Sequence, residues 1–202
     1  MNRLFASLAA AAAVVLSGCS FYGSQPPAPA QAATLDYRYI IGPGDNLSIQ
    51  VWRNPELLTS VPVRPDGRVT APLIEDMLAM GKTPTALARE FEQQLKKYIQ
   101  DPVVTIVVTG FVGPQSEQVR IVVAATRPSA LPYKQNMTML DAMIAVGGIT
   151  DYASGNRAVL VRASEGNKTY NVRLKDLLKL GDISANVDLR PGDVLIIPEG
   201  WF

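Results

Sequence analysis

Alternating hydrophobic and polar positions in the first half of the chain predict strands. Leu47, Ile49 and Val51 fall on one side of an extended segment that follows a Pro-Gly turn, which is typical of a half-buried strand. A Pro-Asp-Gly turn at 65–67 separates two further extended pieces, and its glycine supplies the backbone freedom that a hairpin turn needs. β-Branched residues return at 103–109 and predict another strand.

A four-residue repeat of apolar positions between residues 83 and 100 predicts an amphipathic helix. Leu87, Phe91, Leu95 and Ile99 would share one face of that helix. A Thr-Pro pair is a favourable helix start and an Asp-Pro pair ends the pattern at about Gln100. Strands, hairpin and helix together predict an α+β module.

The second half of the chain predicts another α+β module after a Gly and Pro interruption at 110–114. Thr138 and Asp141 form a capping pattern for a short helix that ends at a Gly-Gly pair. Its stripe of Leu140, Met143 and Ile144 is expected in the core. Strands are predicted at 119–123, 158–163, 169–174 and 189–198, and a further short helix at 176–178.

A turn motif occurs once in each half of the chain. The pattern Pro-Gly-Asp-x-Leu-x-Ile begins at Pro43 and again at Pro191. The first copy does not fit a dinucleotide-binding loop, because a strand follows it where a helix N-terminus would be needed. We expect Asp45, like Asp66, to act in turn chemistry.

The N-terminus has the pattern of a bacterial lipoprotein signal. Arg3 precedes an apolar stretch at 4–16 that is too short to span a bilayer, and Leu-Ser-Gly-Cys at 16–19 resembles a lipobox. This resemblance implies a signal peptide at 1–18 and a lipid on Cys19, and Ser20 favours transfer to the outer membrane. The alternative is an ordinary signal peptide with a coincidental cysteine. Residues 19–34 are rich in Ser, Gln, Pro and Ala and predict a flexible tether.

Composition argues against several function classes. The chain contains no histidine and one cysteine, which removes Ser-His and Cys-His dyads, thiolate metal sites and the commonest zinc ligand. We therefore expect no catalytic, cofactor or metal site. The 19 Lys and Arg and 18 Asp and Glu form no basic run, which disfavours nucleic acid as a partner.

Several motifs in one order along the chain resemble the bacterial polysaccharide export (Wza-like) outer-membrane lipoproteins. They are Gly42-Pro43-Gly44-Asp45 with Val51-Trp52, Arg64-Pro65-Asp66-Gly67, Tyr98-Ile99-x-Asp101-Pro102-x-Val104, Thr138-x-Leu140-Asp141 with Gly147-Gly148, and Pro191-Gly192-Asp193. The segments at 111–114 and 130–133 are most similar to exopolysaccharide export members encoded beside exosortase (PEP-CTERM) sorting systems. The resemblance implies a polysaccharide export domain at 35–112 and a soluble-ligand-binding β-grasp (SLBB) domain at 113–202.

The same resemblance implies a function and a set of partners. Copies of the chain would form a ring, octameric in well-known members, that encloses a periplasmic passage for an exopolysaccharide or capsule polymer, with no bond made or broken. The protein would be lipid-anchored in the outer membrane and face the periplasm. An inner-membrane polysaccharide co-polymerase, of the chain-length-regulator or tyrosine-autokinase class, would be a partner.

Two departures from the family pattern add further expectations. Ala124-Ala125-Thr126 stands where a Gly-Glu pair is expected, which leaves contacts of that acidic side chain in doubt. The sequence ends at Trp201-Phe202, without the amphipathic helix of well-known members, so we expect a separate outer-membrane β-barrel partner to supply the pore. Trp201 and Phe202 would dock that barrel or pack on the last strand.

Two other functions and the role of the arginines stay open at the sequence level. The rival function is a monomeric periplasmic glycan-binding lipoprotein, and a carboxylate-based lyase or hydrolase ranks behind it. Five arginines could line the passage or lie on a solvated surface: Arg120, Arg127, Arg157, Arg162 and Arg173.

Overall fold

The computed structural model describes residues 25–29 and 37–200, which build two α+β modules with separate hydrophobic cores. The predicted fold class is confirmed. The first module contains β1 (Asn46–Val51), β2 (Thr59–Pro62), β3 (Arg68–Ala71), β4 (Ile74–Leu78), α1 (Pro84–Leu95) and β5 (Val104–Gly110). The second contains β6 (Val119–Val123), β7 (Ser129–Leu131), α2 (Met139–Val146), β8 (Ala158–Arg162), β9 (Lys168–Val172) and β10 (Val194–Ile197). Short helical turns lie at Pro55–Leu57, Gln115–Glu117, Gly155–Arg157, Ala163–Glu165, Asp176–Leu180 and Ile183–Ala185.

The first module is a three-stranded antiparallel sheet in the order β2-β1-β5, with α1 against one face. Leu47, Ile49 and Val51 are buried as predicted, because alternate residues of a strand point to one face. They meet Leu87 and Phe91 of α1 in one core. Side chains on the other face of the sheet point away from that core.

Two sequence predictions for this module were wrong in detail. The helix ends at Leu95, not at Gln100, and Ile99 follows in a tight turn whose N–H donates to the Leu95 carbonyl. The strand after the Pro-Asp-Gly turn has β4 as its ladder partner, and pairing across the turn is limited to its base, where the Arg64 N–H donates to the Arg68 carbonyl at 2.9 Å. The pairing does not extend further, because Val63 exchanges backbone hydrogen bonds with the turn at Gly44 and Asp45.

The second module is a five-stranded sheet in the order β7-β6-β10-β8-β9 with α2 on one face. β10 runs parallel to β6 and antiparallel to β8. The predicted capping of α2 is confirmed, since Thr138 and Asp141 form a reciprocal capping box and Gly147 ends the helix with φ 78°.

The predicted core stripe of α2 is confirmed for Met143, which is buried, and for Leu140, which packs against the second core, but it is wrong for Ile144. Ile144 is 69% exposed, whereas Met139, Ala142, Met143 and Val146 are buried. These four follow the i, i+3, i+4, i+7 spacing of a single helical face. A helix of two turns has room for one such face against the sheet, and Ile144 falls outside it.

The segment 25–29 pairs with the outer edge of β9. The Asn171 N–H donates to the Pro26 carbonyl at 2.9 Å, and the Ala28 N–H donates to the Asn171 carbonyl at 3.2 Å. Pro27 and Asn171 form a parallel bridge, and Ala28 packs against the second core. This segment, here called the strap, falls inside the predicted tether, whose other residues lie outside the described ones, as does the signal peptide at 1–18.

Candidate functional site

The first Pro-Gly-Asp turn joins the two modules through one buried carboxylate. Asp45 is completely buried, and its Oδ1 accepts hydrogen bonds from the Val112 and Gly113 N–H groups at 2.7 and 2.8 Å. Its Oδ2 accepts from the Gly42 N–H at 2.9 Å and the Tyr39 hydroxyl at 2.7 Å. Asp45 therefore ties the start of the first module to the linker that leads into the second.

Close backbone packing explains the glycine at position 42. A Cβ atom on Gly42 would lie 2.1 Å from the backbone carbon of Gly113, so a larger residue would push the linker away. Burial and the hydrogen bond to Asp45 raise the pKa of Tyr39 above its usual range. Tyr39 consequently remains a neutral donor to the carboxylate.

The second Pro-Gly-Asp turn has the same local geometry and touches the same linker. Asp193 is completely buried, and its Oδ2 accepts from the Arg190 N–H at 2.9 Å, as Asp45 accepts from the residue three positions before it. A Cβ atom on Gly192 would lie 2.6 Å from the Ser116 carbonyl oxygen. Both turns thus lie against residues 112–116, and the first also accepts hydrogen bonds from them. Sequence reasoning missed this arrangement although the repeated motif signalled it.

A buried charged cluster surrounds the second turn. Arg162 has no exposed surface; its Nη2 donates to the Asp188 carbonyl at 2.8 Å, and its Nε lies 3.8 Å from Asp193 Oδ2. The Glu165 carboxylate accepts one hydrogen bond from Arg190 Nη1 at 2.8 Å and another from the Tyr170 hydroxyl. Burial raises the pKa of Asp193 to about 6, against the lowering effect of the Arg190 N–H and the Arg162 charge.

The structure separates the five candidate arginines. Arg162 belongs to the buried cluster. It therefore lies neither on a solvated surface nor at a position where it could line a passage. Arg120 is partly buried, and Arg127, Arg157 and Arg173 are exposed. Arg173 forms ion pairs with two neighbouring aspartates of its own module, which makes it part of a local surface network.

The predicted site residues at the ends of the chain lie outside the described residues. These are Cys19, Trp201 and Phe202. The last described residue, Gly200, donates its N–H to the Tyr152 carbonyl at 2.7 Å, and the Tyr152 side chain is 65% exposed. Docking by the C-terminal aromatic pair remains a prediction.

The departure at Ala124 and Ala125 lies in a packed part of the second module. Both alanines are buried. The Ala124 N–H donates to the Ile197 carbonyl, and Ala125 forms a bridge with Ile149. Main-chain pairing therefore continues through this position with alanine side chains.

An open groove of about 890 Å³ lies between the β3–β4 hairpin and α1. Its walls carry both signs of charge, including Lys82, Glu90 and Asp76, and Lys82 pairs with Glu90 at 2.5 Å. Asp76 in turn pairs with Arg64 at 2.7 Å. The carboxylates of Glu90 and Asp76 are therefore each paired with a cation.

The described part of the chain shows neither a metal-binding cluster nor a membrane-spanning helix. Within residues 25–29 and 37–200, no group of three or more His, Cys, Asp or Glu side chains could hold a metal ion. None of the helices described there has the length and apolar character needed to cross a membrane.

Comparison with known families finds two matches, one in each half of the chain. Residues 33–109 match the model of the family described as polysaccharide biosynthesis/export protein. Residues 118–197 match the model of the SLBB domain. The two matched ranges follow the order of the two cores.

Curated relatives carry names that agree with these matches. The chain is 25% identical over 185 residues to the EPS I polysaccharide export outer membrane protein EpsA of Ralstonia nicotianae, covering 80% of this chain and 47% of that protein. It is 28% identical over 171 residues to the capsule polysaccharide export outer membrane protein CtrA of Neisseria meningitidis, covering 75% and 42%. It is 25% identical over 179 residues to the capsule polysaccharide export protein BexD of Haemophilus influenzae, covering 79% and 43%. The chain thus spans less than half the length of these relatives.

Proposed function

The chain belongs to the Wza-like polysaccharide export family, and from this premise we propose that it is an outer-membrane component of a machine that exports an exopolysaccharide or capsule polymer. The observation that carries the proposal is the presence of both family domains in order, each on its own core. The names of the relatives support the same export role. The proposed role is transport, without chemistry on the polymer.

The proposed mechanism is geometric. Copies of the chain pack side by side into a ring, and the polymer passes through a hydrated centre. The tied linker supports this proposal, because the hydrogen bonds from Val112 and Gly113 to Asp45 restrict movement at the junction between the modules, and copies in a closed ring must present the same surfaces to one another. A conduit also needs weak contacts with its cargo, since tight binding would stop movement.

The proposed attachment to the membrane depends on Cys19. A diacylglycerol on its thiol and a further acyl chain on the new N-terminus would anchor the protein firmly. Mass spectrometry of the mature N-terminal peptide should show the lipid, and Cys19→Ser should release the protein from the membrane fraction. An unmodified Cys19 in membrane-bound protein would refute this attachment.

The proposed partners are a separate outer-membrane β-barrel and an inner-membrane co-polymerase or tyrosine autokinase. The inner-membrane partner is implied by the family likeness, and both partners are tested by crosslinking in cells. We expect crosslinks to one protein of each membrane. If export stays intact after deletion of every candidate barrel gene encoded nearby, the barrel partner is ruled out.

The export role itself is tested by deleting the gene. We expect polymer to disappear from the cell surface and to accumulate inside the cell envelope, with recovery when the gene is supplied again. Unchanged surface polymer in the deletion strain would contradict the proposed function. Shortening of the polymer by the purified protein would show catalysis instead.

A further inference from the structure

The open face of the β2-β1-β5 sheet has an unusual composition. None of the three strands contains a charged residue, although charged side chains are frequent in the rest of the first module. The residues whose side chains point away from the core are Asn46, Ser48, Gln50, Ser60, Pro62, Thr105, Val107 and Thr109. We call this set the uncharged face.

The strand register arranges these groups in rows. Ser48 lies between Ser60 on β2 and Val107 on β5, and Gln50 lies beside Thr105. Rows repeat about every 7 Å along the strands, and neighbours within a row are about 5 Å apart. The side chains of Ser48, Gln50, Ser60 and Thr105 form no hydrogen bond within the part of the chain that the structure describes, so their donors and acceptors are available to a ligand.

An exposed tryptophan stands at the end of this face. Trp52 follows β1 directly, its N–H donates to the Val103 carbonyl at 2.9 Å, and its side chain is 70% exposed. An indole ring so open to water contributes little to the core of its own module. It does offer a flat apolar surface with one N–H donor, which suits stacking against a ring that carries both apolar and hydroxyl faces.

The chemistry of the uncharged face argues against other ligand classes. The cores of protein–protein interfaces are enriched in aromatic residues, Met and Arg and depleted in Ser, whereas the strands of this face expose Ser, Thr, Asn and Gln side chains around Val107. Nucleic acid and anionic membrane surfaces require clustered Lys and Arg, which the three strands lack. A polymer rich in hydroxyl groups matches what the face presents.

We propose that the uncharged face, with Trp52 at its end, is a weak binding surface for an uncharged stretch of polysaccharide. The proposal rests on the proposed export role and adds the surface that the polymer contacts. Each hydrogen bond to a sugar hydroxyl replaces one to water and contributes only about 1 kcal/mol. Repeated, nearly equivalent groups therefore let a chain shift by one row without a large barrier, and in the assembly this face would line the passage.

The binding test uses fluorescence of the full acylated protein in a detergent without sugar groups. The chain has two tryptophans, so Trp201→Phe leaves Trp52 as the reporter, and the probe is a neutral malto-oligosaccharide of about seven units. We expect a saturable change in Trp52 emission with a millimolar dissociation constant. No change up to the solubility limit of the probe would overturn the proposal.

A matched pair of charge substitutions locates the surface. Gln50→Lys places a charge on the uncharged face, and the loss of one hydrogen bond should weaken binding about 2- to 10-fold. Gln93→Lys adds the same charge on the exposed side of α1 and should leave binding unchanged. Equal effects of both variants would refute the location.

The export assay separates this inference from the proposed function. If the deletion strain still exports polymer, the export role fails. If export requires the protein but Gln50→Lys supports wild-type export and wild-type probe binding, only the binding surface fails. If Gln50→Lys prevents assembly of the protein, the face is a subunit contact, and the binding proposal is likewise overturned.

Discussion

At the scale of single residues, Asp45 is the side chain on which the joint between the modules depends. Asp45→Ala would leave four donors without their acceptor, among them the Val112 and Gly113 N–H groups in the linker. Buried donors that lose a charged acceptor are costly, so we expect the free energy of unfolding to fall by at least about 3 kcal/mol. Urea denaturation measures this change.

Asp66→Ala is the matched control, because Asp66 is also a turn aspartate. Its side chain is exposed and pairs with Arg64 at the surface, where ion pairs contribute little. We expect almost no change in the unfolding midpoint. Equal losses at the two positions would contradict the structural role of Asp45.

Asp193 predicts a pH dependence of stability. Burial raises its pKa to about 6, above its value in the unfolded chain, so the folded state holds the proton more tightly. The contribution of this raised pKa to the free energy of unfolding is fully present below about pH 4 and is lost as the pH rises through about 6. The total change is up to about 3 kcal/mol. Asp193→Asn lacks this titration and still offers an oxygen to the Arg190 N–H.

The measurement is the difference in unfolding free energy between wild type and Asp193→Asn at several pH values. We expect the wild type to lose stability relative to the variant between pH 4 and pH 7. A difference that stays constant over this range would show that Asp193 does not titrate there.

The sequence identified Asp45 as a turn residue, but it did not predict the hydrogen bonds that Asp45 accepts from the linker. The partners Val112 and Gly113 lie far along the chain, and no local pattern indicates such a contact. The burial of Arg162 was likewise not predictable. An arginine at the end of a strand usually reaches solvent, and only the folded module brings the Asp188 carbonyl and the Asp193 carboxylate against it.

At the scale of elements, local patterns predicted what local forces decide. The strand β1 and the capping box of α2 depend on side-chain alternation and on residues three positions apart, and both are confirmed. The partner of β3 and the end of α1 depend on which backbone groups are already bonded elsewhere. Tertiary contacts therefore determine both features, and the local sequence does not.

The strap predicts a measurable exchange effect. Ala28→Pro removes the N–H that donates to the Asn171 carbonyl, without altering β9 itself. With the strap loosened, the Asn171 amide should exchange roughly 2- to 10-fold faster, as expected for one hydrogen bond. Gln25→Pro is the control, since the backbone hydrogen bonds between the strap and β9 involve Pro26 and Ala28 and not Gln25. Unchanged exchange of the Asn171 amide in Ala28→Pro would show that the strap is not bound to β9.

At the scale of the whole molecule, two separate cores are tied at one linker. The repeated turn motif predicted similar local structures, and the structure adds that both turns pack on residues 112–116. In the proposed ring, the hydrogen bonds from this linker to Asp45 would restrict movement between the two modules of each copy. Identical copies could then present the same surfaces to one another.

The central proposal is that copies of this chain enclose a passage. Its most direct test is the native mass of the acylated protein extracted in mild detergent, with electron microscopy images of the same sample. We predict closed rings with a central opening. A monodisperse monomer, with or without added outer- and inner-membrane partners, would contradict the claim and favour a glycan-binding lipoprotein that acts alone.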